Sequence, residues 1–283
     1  MGIVLVDKPA GPSSFALVGE LRRRTAAKTG HTGTLDPFAT GLLVLLSGMA
    51  TKLAPCFSGL DKSYVTDIDL TSTTSTGDPE GEVVDRHEAP SRSVLDAQLA
   101  LLRGEIELPI PAASAVKIGG ERAYKLARRG IEVEMPLRRS HVYALDVISY
   151  TGDHVTLGLH VNSGTYVRSI ATALGGHCAA LRRTSVGAFR VEEADPTALM
   201  PVSEALARLS EEARERVPHG LRAQVLAFEA EVGATRTIAP RPPSALSRSG
   251  GSPSRDDLPP AAKPAARPID ASDRQALDSG EPA

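Results

Sequence analysis

A chain of 283 residues, of which 41% are hydrophobic and 23% charged, has the composition of a soluble globular protein and can bury a substantial core. Its net charge of −2 gives no overall attraction for a polyanion, and its two cysteines, Cys56 and Cys178, are too few for a disulfide framework and too isolated for a zinc site. Because the N-terminus has no basic segment and no apolar run is long enough to span a bilayer, we expect neither a signal peptide nor a membrane span, and a cytoplasmic location.

The N-terminal segment predicts a strand, a helix and a second apolar run. GIVLVD at residues 2–7 is typical of a short buried strand, and Ser13 or Ser14 can cap a helix through ALVGELRRRTA. The following GHTGTLDPFAT predicts a loop that leads into the apolar run GLLVLLSGMATKLAPCF.

The middle of the chain predicts strands joined by polar turns, with helices between them. KSYVTDIDLT alternates as a half-buried strand should, TSTTSTGDPEGEVVD predicts a loop or hairpin, and the runs from His141 to Val161 predict a hairpin across Gly152-Asp153. SVLDAQLALLRGE and AYKLARRGIEVE predict helices, the second ending at Gly130, and GTYVRSIATALG changes from strand to helix. Strands and helices mixed without a regular βαβ order indicate an α+β fold.

The C-terminal third differs in composition from the rest. We expect one large domain over residues 1–200 and a small helical segment over 201–238. Nine prolines fall between residues 239 and 283, and such a segment cannot bury enough apolar surface to become ordered, so a disordered tail is predicted there.

Positive charge is concentrated locally. Residues 121–190 carry ten lysines and arginines against five acidic residues, and Arg22, Arg23, Arg24 and Lys28 form a second basic group. A face that binds nucleic acid and a set of solvated helix surfaces both account for this pattern.

The sequence GTLDP places a carboxylate, Asp36, directly before Pro37 and among glycines. One interpretation is the N-cap of a helix that begins at Pro37. The other is a functional carboxylate presented on a rigid loop, since Pro37 restricts the backbone on both sides of the peptide bond. A carboxylate that must stay ionised in a dry pocket needs a cation beside it, and Arg168 in GTYVR could supply one.

Three further side chains have a functional and a structural interpretation. Tyr166 is two residues from Arg168 and would share its strand face. Tyr64 opens a strand and could stack on a base, or be a half-buried strand residue. Lys8 could contact a phosphate or be an ordinary surface charge.

DIDLT at residues 67–71 matches the D-x-D-x-T pattern of haloacid dehalogenase-type phosphatases. That chemistry requires a parallel sheet with Asp67 at the carboxyl end of its first strand, whereas here the pattern follows another strand and helix. A phosphatase is therefore a distant alternative.

An ordered series of motifs resembles the bacterial TruB-type tRNA pseudouridine-55 synthases over roughly residues 2 to 190. The motifs are GIVLVDKPAG (2–11), GHTGTLDPFATGLL (30–43), GMATK (48–52), DKSY (61–64), TSTGDPEG (74–81), SAVK (114–117), YKLARRG (124–130), SGTYVR (163–168) and LRRTSVG (181–187). The resemblance implies a pseudouridine-synthase fold in a catalytic domain over residues 1–200, with a mixed, mostly antiparallel central sheet flanked by helices and loops. It also implies isomerisation of the T-loop uridine of tRNA after base flipping, with no metal or cofactor.

The resemblance assigns roles to individual residues. It makes Asp36 the catalytic nucleophile and Arg168 its ion-pair partner, while Tyr64 packs against the target base. It assigns substrate contacts to five residues: His31, Tyr64, Tyr166, Leu181 and Lys8, the last as a structural or phosphate contact.

The chain departs from the family pattern in two places. The interval between Arg168 and LRR is several residues shorter, so we expect a shortened helix that could displace Leu181 and Arg182. No C-terminal RNA-binding PUA domain is evident. The alternative function is therefore a catalytically weak protein that binds and folds tRNA. In either case the expected partner is the tRNA T-arm, no membrane or metal is involved, and we expect a monomer.

Overall fold

The structure is a computed structural model that describes residues 1–129, 131, 133–233 and 237–238. The predicted helix end at Gly130 and the predicted tail over residues 239–283 lie outside the described residues.

The described elements alternate between strands and short helices. The strands are β1 (Gly2–Lys8), β2 (Thr29–His31), β3 (Thr40–Ser47), β4 (Lys62–Asp69), β5 (Ser72–Thr74), β6 (Val83–Arg86), β7 (Gly104–Pro109), β8 (Lys117–Ile118), β9 (Glu121–Arg122), β10 (Leu137–Tyr150), β11 (His154–Val161), β12 (His177–Val186) and β13 (Phe189–Arg190). The α-helices are α1 (Ser14–Thr25), α2 (Ala54–Ser58), α3 (Arg92–Leu101), α4 (Ala123–Arg128), α5 (Val167–Ala173), α6 (Val202–Ala207), α7 (Glu211–Glu215) and α8 (His219–Val232). Gly48–Leu53 and Val191–Glu193 are 3-10 helices.

Nine strands form one central sheet in the order β1-β3-β12-β4-β11-β10-β7, with β2 beside β3 and β13 beside β12. Among the pairings that the structure describes, all are antiparallel except β3 with β12, where Thr40 lies opposite Arg182 and Gly41 opposite Arg183. This confirms the predicted α+β class and mostly antiparallel sheet. Strand β4, which carries Asp67, has antiparallel neighbours on both sides, so the sheet is not the one that a dehalogenase-type phosphatase requires.

Strand β3 explains why the apolar run in GLLVLLS is uninterrupted. Leu42, Val44 and Leu46 pack into one hydrophobic cluster, while Leu43 and Leu45 pack into another beneath α1. A strand covered on both faces has no solvent side and therefore needs no polar alternation.

Helix α1 is tied to the loop that follows β2. Ser13 is its N-cap and accepts a hydrogen bond from the amide of Ala16, which settles the choice between the two serines. The hydroxyl of Ser14 turns the other way and bonds both the amide and the carbonyl of Leu35, each at 2.9 Å. The residue before Asp36 is therefore held by the first turn of a helix.

The segment after residue 200 forms three helices, α6 to α8. Their buried residues Val202, Leu206 and Val225 belong to the same hydrophobic cluster as Ile3 of β1. Glu229 of α8 is buried and accepts hydrogen bonds from the amides of Val202 and Ser203, so it caps α6. A domain boundary at residue 200 stays a prediction. In the described ranges, no helix combines the length and apolar character needed to cross a membrane.

Candidate active site

A cavity of about 390 Å³ opens beside strands β4 and β12. Five of the predicted site residues line it: Asp36, Tyr64, Tyr166, Arg168 and Leu181. The other two, His31 and Lys8, do not, although Thr32 beside His31 does. The fold thus gathers side chains from four separate segments of the sequence around one space.

The loop that carries Asp36 is not the start of a helix. Ala39 donates a backbone hydrogen bond to the carbonyl of Asp36, which closes a turn, and β3 begins at Thr40. Only three residues separate Asp36 from the strand, so there is no room for a helix and the N-cap interpretation is wrong. The structure therefore places Asp36 on a loop, and the functional role of its carboxylate stays a prediction.

Arg168 holds the Asp36 carboxylate at two points. Its Nε lies 3.0 Å from Oδ2 of Asp36, and its Nη2 donates to Oδ1 at 3.2 Å. The guanidinium is buried and also donates to the carbonyls of Thr76, at 2.8 Å, and Ala113, at 3.1 Å. With the contact to Asp78 described below, all the N–H groups of the guanidinium have acceptors, and these contacts fix its position.

Arg168 and Tyr166 do not share a strand face, so that prediction is wrong. Strand β11 ends at Val161, Tyr166 is the N-cap residue of α5, and Arg168 lies in the first turn of that helix. Both residues nevertheless line the cavity, because the helix begins at its edge.

A second carboxylate, Asp78, was not predicted as a site residue. Its Oδ2 lies 3.2 Å from Nη1 of Arg168, and both side chains are almost completely buried. The hydroxyl of Thr76 and the amide of Glu80 donate to its other oxygen at 2.5 Å and 3.1 Å. The only sequence signal was the acidic residue in TSTGDPEG, which belongs to the family resemblance.

Burial raises the pKa of the Asp36 carboxyl, and the charge of Asp78 acts in the same direction. The adjacent Arg168 guanidinium opposes this increase through its charge and hydrogen bonds, and Lys8 adds a smaller effect of the same sign. The pKa of Asp36 is therefore raised overall, because the effect of burial exceeds the opposing effects of the two cations.

Lys8 is completely buried, and a contact with a phosphate stays a prediction for this residue. Its Nζ donates to the carbonyls of Pro9, Pro37 and Ala39, at 3.0, 2.9 and 2.6 Å. Because Pro37 and Ala39 follow Asp36 closely in the chain, the ammonium group holds the part of the loop that leads from Asp36 into β3. The structural role, which the resemblance left open, is the one that the contacts support.

Arg182 and Arg183 do not form one exposed basic pair. Arg182 is partly exposed and makes a two-point ion pair with Asp7, at 3.0 and 2.7 Å. Arg183 is buried and donates to the carbonyls of Leu42, at 2.7 Å, and Gly33, at 3.0 Å. The alternation of β12 sends one side chain outward and the other under the Asp36 loop.

Leu181 lines the cavity although the interval after Arg168 is short. Helix α5 ends at Ala173, and β12 begins at His177 and carries Leu181 to the cavity wall. A short turn between helix and strand thus spans this interval and leaves Leu181 at the cavity.

His31 lies on the short strand β2 and is half-buried. Burial, with a smaller effect of Arg183, lowers the pKa of its imidazole. Its Nδ1 is buried and has no hydrogen-bond partner within the described part of the chain. A contact with flipped nucleotides stays a prediction for this residue.

Lys62 is a second residue that sequence reasoning passed over. It lines the cavity on the same face of β4 as Tyr64, and burial lowers the pKa of its ammonium group to about 8. Across residues 1–129, 131, 133–233 and 237–238, no cluster of three His, Cys, Asp or Glu side chains could hold a metal ion.

Comparison with known proteins places the chain in a family. Residues 22–167 match the model described as "TruB family pseudouridylate synthase (N terminal domain)". The chain is 44% identical over 210 residues to a protein of Mycobacterium sp. (strain KMS), covering 69% of this chain and 70% of that protein. It is 40% identical over 261 residues to one of Leifsonia xyli subsp. xyli (strain CTCB07), covering 82% and 86%. Both relatives are named "tRNA pseudouridine synthase B".

Solved structures agree at the level of the fold. A Cbf5-Nop10-Gar1 complex contains a chain that is 25% identical, with a TM-score of 0.53, covering 77% of this chain and 59% of its own length. An H/ACA RNP bound to a substrate RNA containing 2′-deoxyuridine gives a TM-score of 0.50 at 22% identity, covering 79% and 61%. With more than half of its length matched by the family model, this chain belongs to the TruB family of pseudouridylate synthases.

Proposed function

We propose that this chain is a tRNA pseudouridine synthase that isomerises the T-loop uridine, with Asp36 as the nucleophile. The observation that carries the proposal is the two-point ion pair between Arg168 and Asp36 in a cavity lined by Tyr64, Tyr166 and Leu181. The substrate class comes from the relatives named tRNA pseudouridine synthase B.

The cavity suits a base that has left its stack. Its volume of about 390 Å³ lies in the range typical of small-ligand pockets. Extruding a base costs a few kcal/mol, and stacking on an aromatic ring returns about 1–3 kcal/mol. Tyr64 and Tyr166 offer such rings and Leu181 an apolar wall, so the cavity can hold an uncharged pyrimidine while it turns.

The reaction is an isomerisation and needs no co-reactant. The C1′–N1 bond breaks, the C1′–C5 bond forms, the proton on C5 leaves and N1 gains one. Asp36 can assist by attacking C1′, by attacking the uracil ring, or by helping to remove a proton from the sugar. Arg168 keeps the carboxylate oriented and offsets the effect of burial on its charge.

The alternative is a protein that binds and folds tRNA with little turnover. It was suggested by the short interval after Arg168, which could have displaced Leu181. Since Leu181 lines the cavity and the Arg168–Asp36 pair is formed, the contacts favour an enzyme.

The decisive experiment measures tritium release from T-arm RNA labelled at C5 of the target uridine. We expect release by the full chain, with an equal yield of pseudouridine, and no release when the same RNA is labelled only at a stem uridine. Tight RNA binding without release would favour the tRNA-folding protein. Light scattering of the same preparation tests the proposed monomer.

A further inference from the structure

Two buried cations that line the cavity, Lys62 and Arg183, have no carboxylate partner among the described residues. The described residues provide ion pairs for Arg168, through Asp36 and Asp78, but none for Lys62 or Arg183. Asp61 influences Lys62 through space and forms no ion pair with it. Burying a charge without an opposite charge beside it costs free energy. An anion bound in the cavity would offset that cost for these two cations.

The contacts of Lys62 show where an anion can enter. Its Nζ donates to the carbonyls of Ser58, at 2.9 Å, and Leu60, at 2.5 Å, while its longest contact is with the hydroxyl of Ser163, at 3.3 Å. Ser163 is only partly buried and lies in the loop between β11 and α5. The third N–H of the ammonium group therefore donates to the Ser163 hydroxyl in a long hydrogen bond. An anionic oxygen is a stronger acceptor and can replace that hydroxyl.

A third cation covers the next residue of this loop. Gly164 has a φ of +86°, and a Cβ on it would collide with Nη2 of Arg138. The side chain of Arg138, on β10, is exposed and has no ion pair within the described ranges. The guanidinium thus lies directly against the backbone of a loop whose neighbouring hydroxyl touches Lys62.

We propose that Lys62, Ser163 and Arg138 form a subsite that receives a phosphodiester group flanking the target uridine. The subsite rests on the proposed function, because its ligand is the RNA backbone. The phosphate replaces the long Ser163 contact of Lys62, accepts from Arg138, and supplies Lys62 with an anionic partner. Arg183 contributes through its charge alone, since its donors are directed at backbone carbonyls.

The test is a coupling experiment between protein and RNA. T-arm RNA is prepared with a neutral methylphosphonate either 5′ or 3′ of the target uridine, and its affinity is compared with unmodified RNA for the wild type, Lys62→Met and Arg138→Gln. We expect one methylphosphonate to weaken wild-type binding roughly ten- to hundredfold, as loss of a charge-assisted hydrogen bond does. The same methylphosphonate should have much less effect on either variant.

Arg139→Gln is the matched control. Arg139 is the neighbour of Arg138 on β10, is exposed, and pairs with Glu107. Its substitution should leave the full methylphosphonate effect in place. The salt dependence gives a second readout: each lost phosphate contact lowers the slope of log affinity against log salt by about one unit, which a purely structural defect would not do.

Full additivity of the protein and RNA changes at both positions, with unchanged salt slopes, would overturn the subsite. If Lys62→Met fails to fold, Arg138→Gln is sufficient to test the subsite, because it alters an exposed side chain. If the wild type neither binds nor isomerises unmodified T-arm RNA, the proposed function fails instead, and the two failures are distinguishable.

Discussion

Arg168 and Asp36 are 132 residues apart in sequence, yet the guanidinium of one holds both carboxylate oxygens of the other. The remaining donors of Arg168 reach Asp78, Thr76 and Ala113, so the same side chain also fixes two further segments at the cavity. The Asp36 carboxylate is therefore oriented by a guanidinium that is itself held in place by several contacts, and substitutions around this pair have predictable effects.

Asp36→Asn should abolish turnover while RNA binding stays close to the wild-type level. The amide is nearly isosteric but is a poor nucleophile and a poor base, and Asp78 still compensates the charge of Arg168. Tritium release measures turnover and filter binding measures affinity. Substantial release by a homogeneous preparation of this variant would show that Asp36 is not the nucleophile.

Asp78→Asn should lower kcat and move the acidic limb of its pH profile to lower pH. The charge of Asp78 raises the pKa of Asp36, so removing it lets Asp36 ionise at a lower pH. The rate falls because Arg168 loses its second ion pair and is less firmly placed. Glu82→Gln, at an exposed residue of the same turn, is the control and should leave the limb where it is. An acidic limb that moves to higher pH would contradict this account.

Lys8→Met should lower the free energy of unfolding by about 3 kcal/mol, because three carbonyls lose their buried charged donor. Since two of those carbonyls lie within three residues after Asp36, we expect kcat to fall more than KM rises. Denaturant unfolding and steady-state kinetics measure the two effects. Lys52→Met, at an exposed lysine, serves as the comparison and should leave stability nearly unchanged.

RNA affinity should decline as the pH rises through about 8, where Lys62 loses its proton. Burial lowers the pKa of Lys62 from 10.5, Arg183 and Arg216 act in the same direction, and Asp61 opposes them. In Lys62→Arg the charge persists, so the decline should disappear. Stability changes in the opposite sense: between about pH 8 and 10.5 the unfolded chain binds the extra proton, so this group stabilises the fold progressively as pH rises.

The sequence was most informative where a local pattern and its chemistry agree. The strand periodicity of KSYVTDID and the Ser13 cap are local properties, and both are found as expected. Asp36 and Arg168 were identified by motif, but their contact depends on a sheet order that no local pattern contains. The same limit hid the roles of Asp78 and Arg183, because the partners of both residues lie far away in sequence.

Pairing between β3 and β12 has a kinetic consequence. It pairs Thr40 with Arg182 and Gly41 with Arg183, and the side chain of Arg183 donates to the carbonyl of Leu42, 141 positions away. Contacts of such high sequence separation carry a large loop-closure entropy and form slowly. During synthesis, the Asp36 loop therefore lacks its contacts with β12 and Arg183 until most of the sheet has emerged. On refolding, activity should appear with the slowest phase rather than with the first burial of apolar surface.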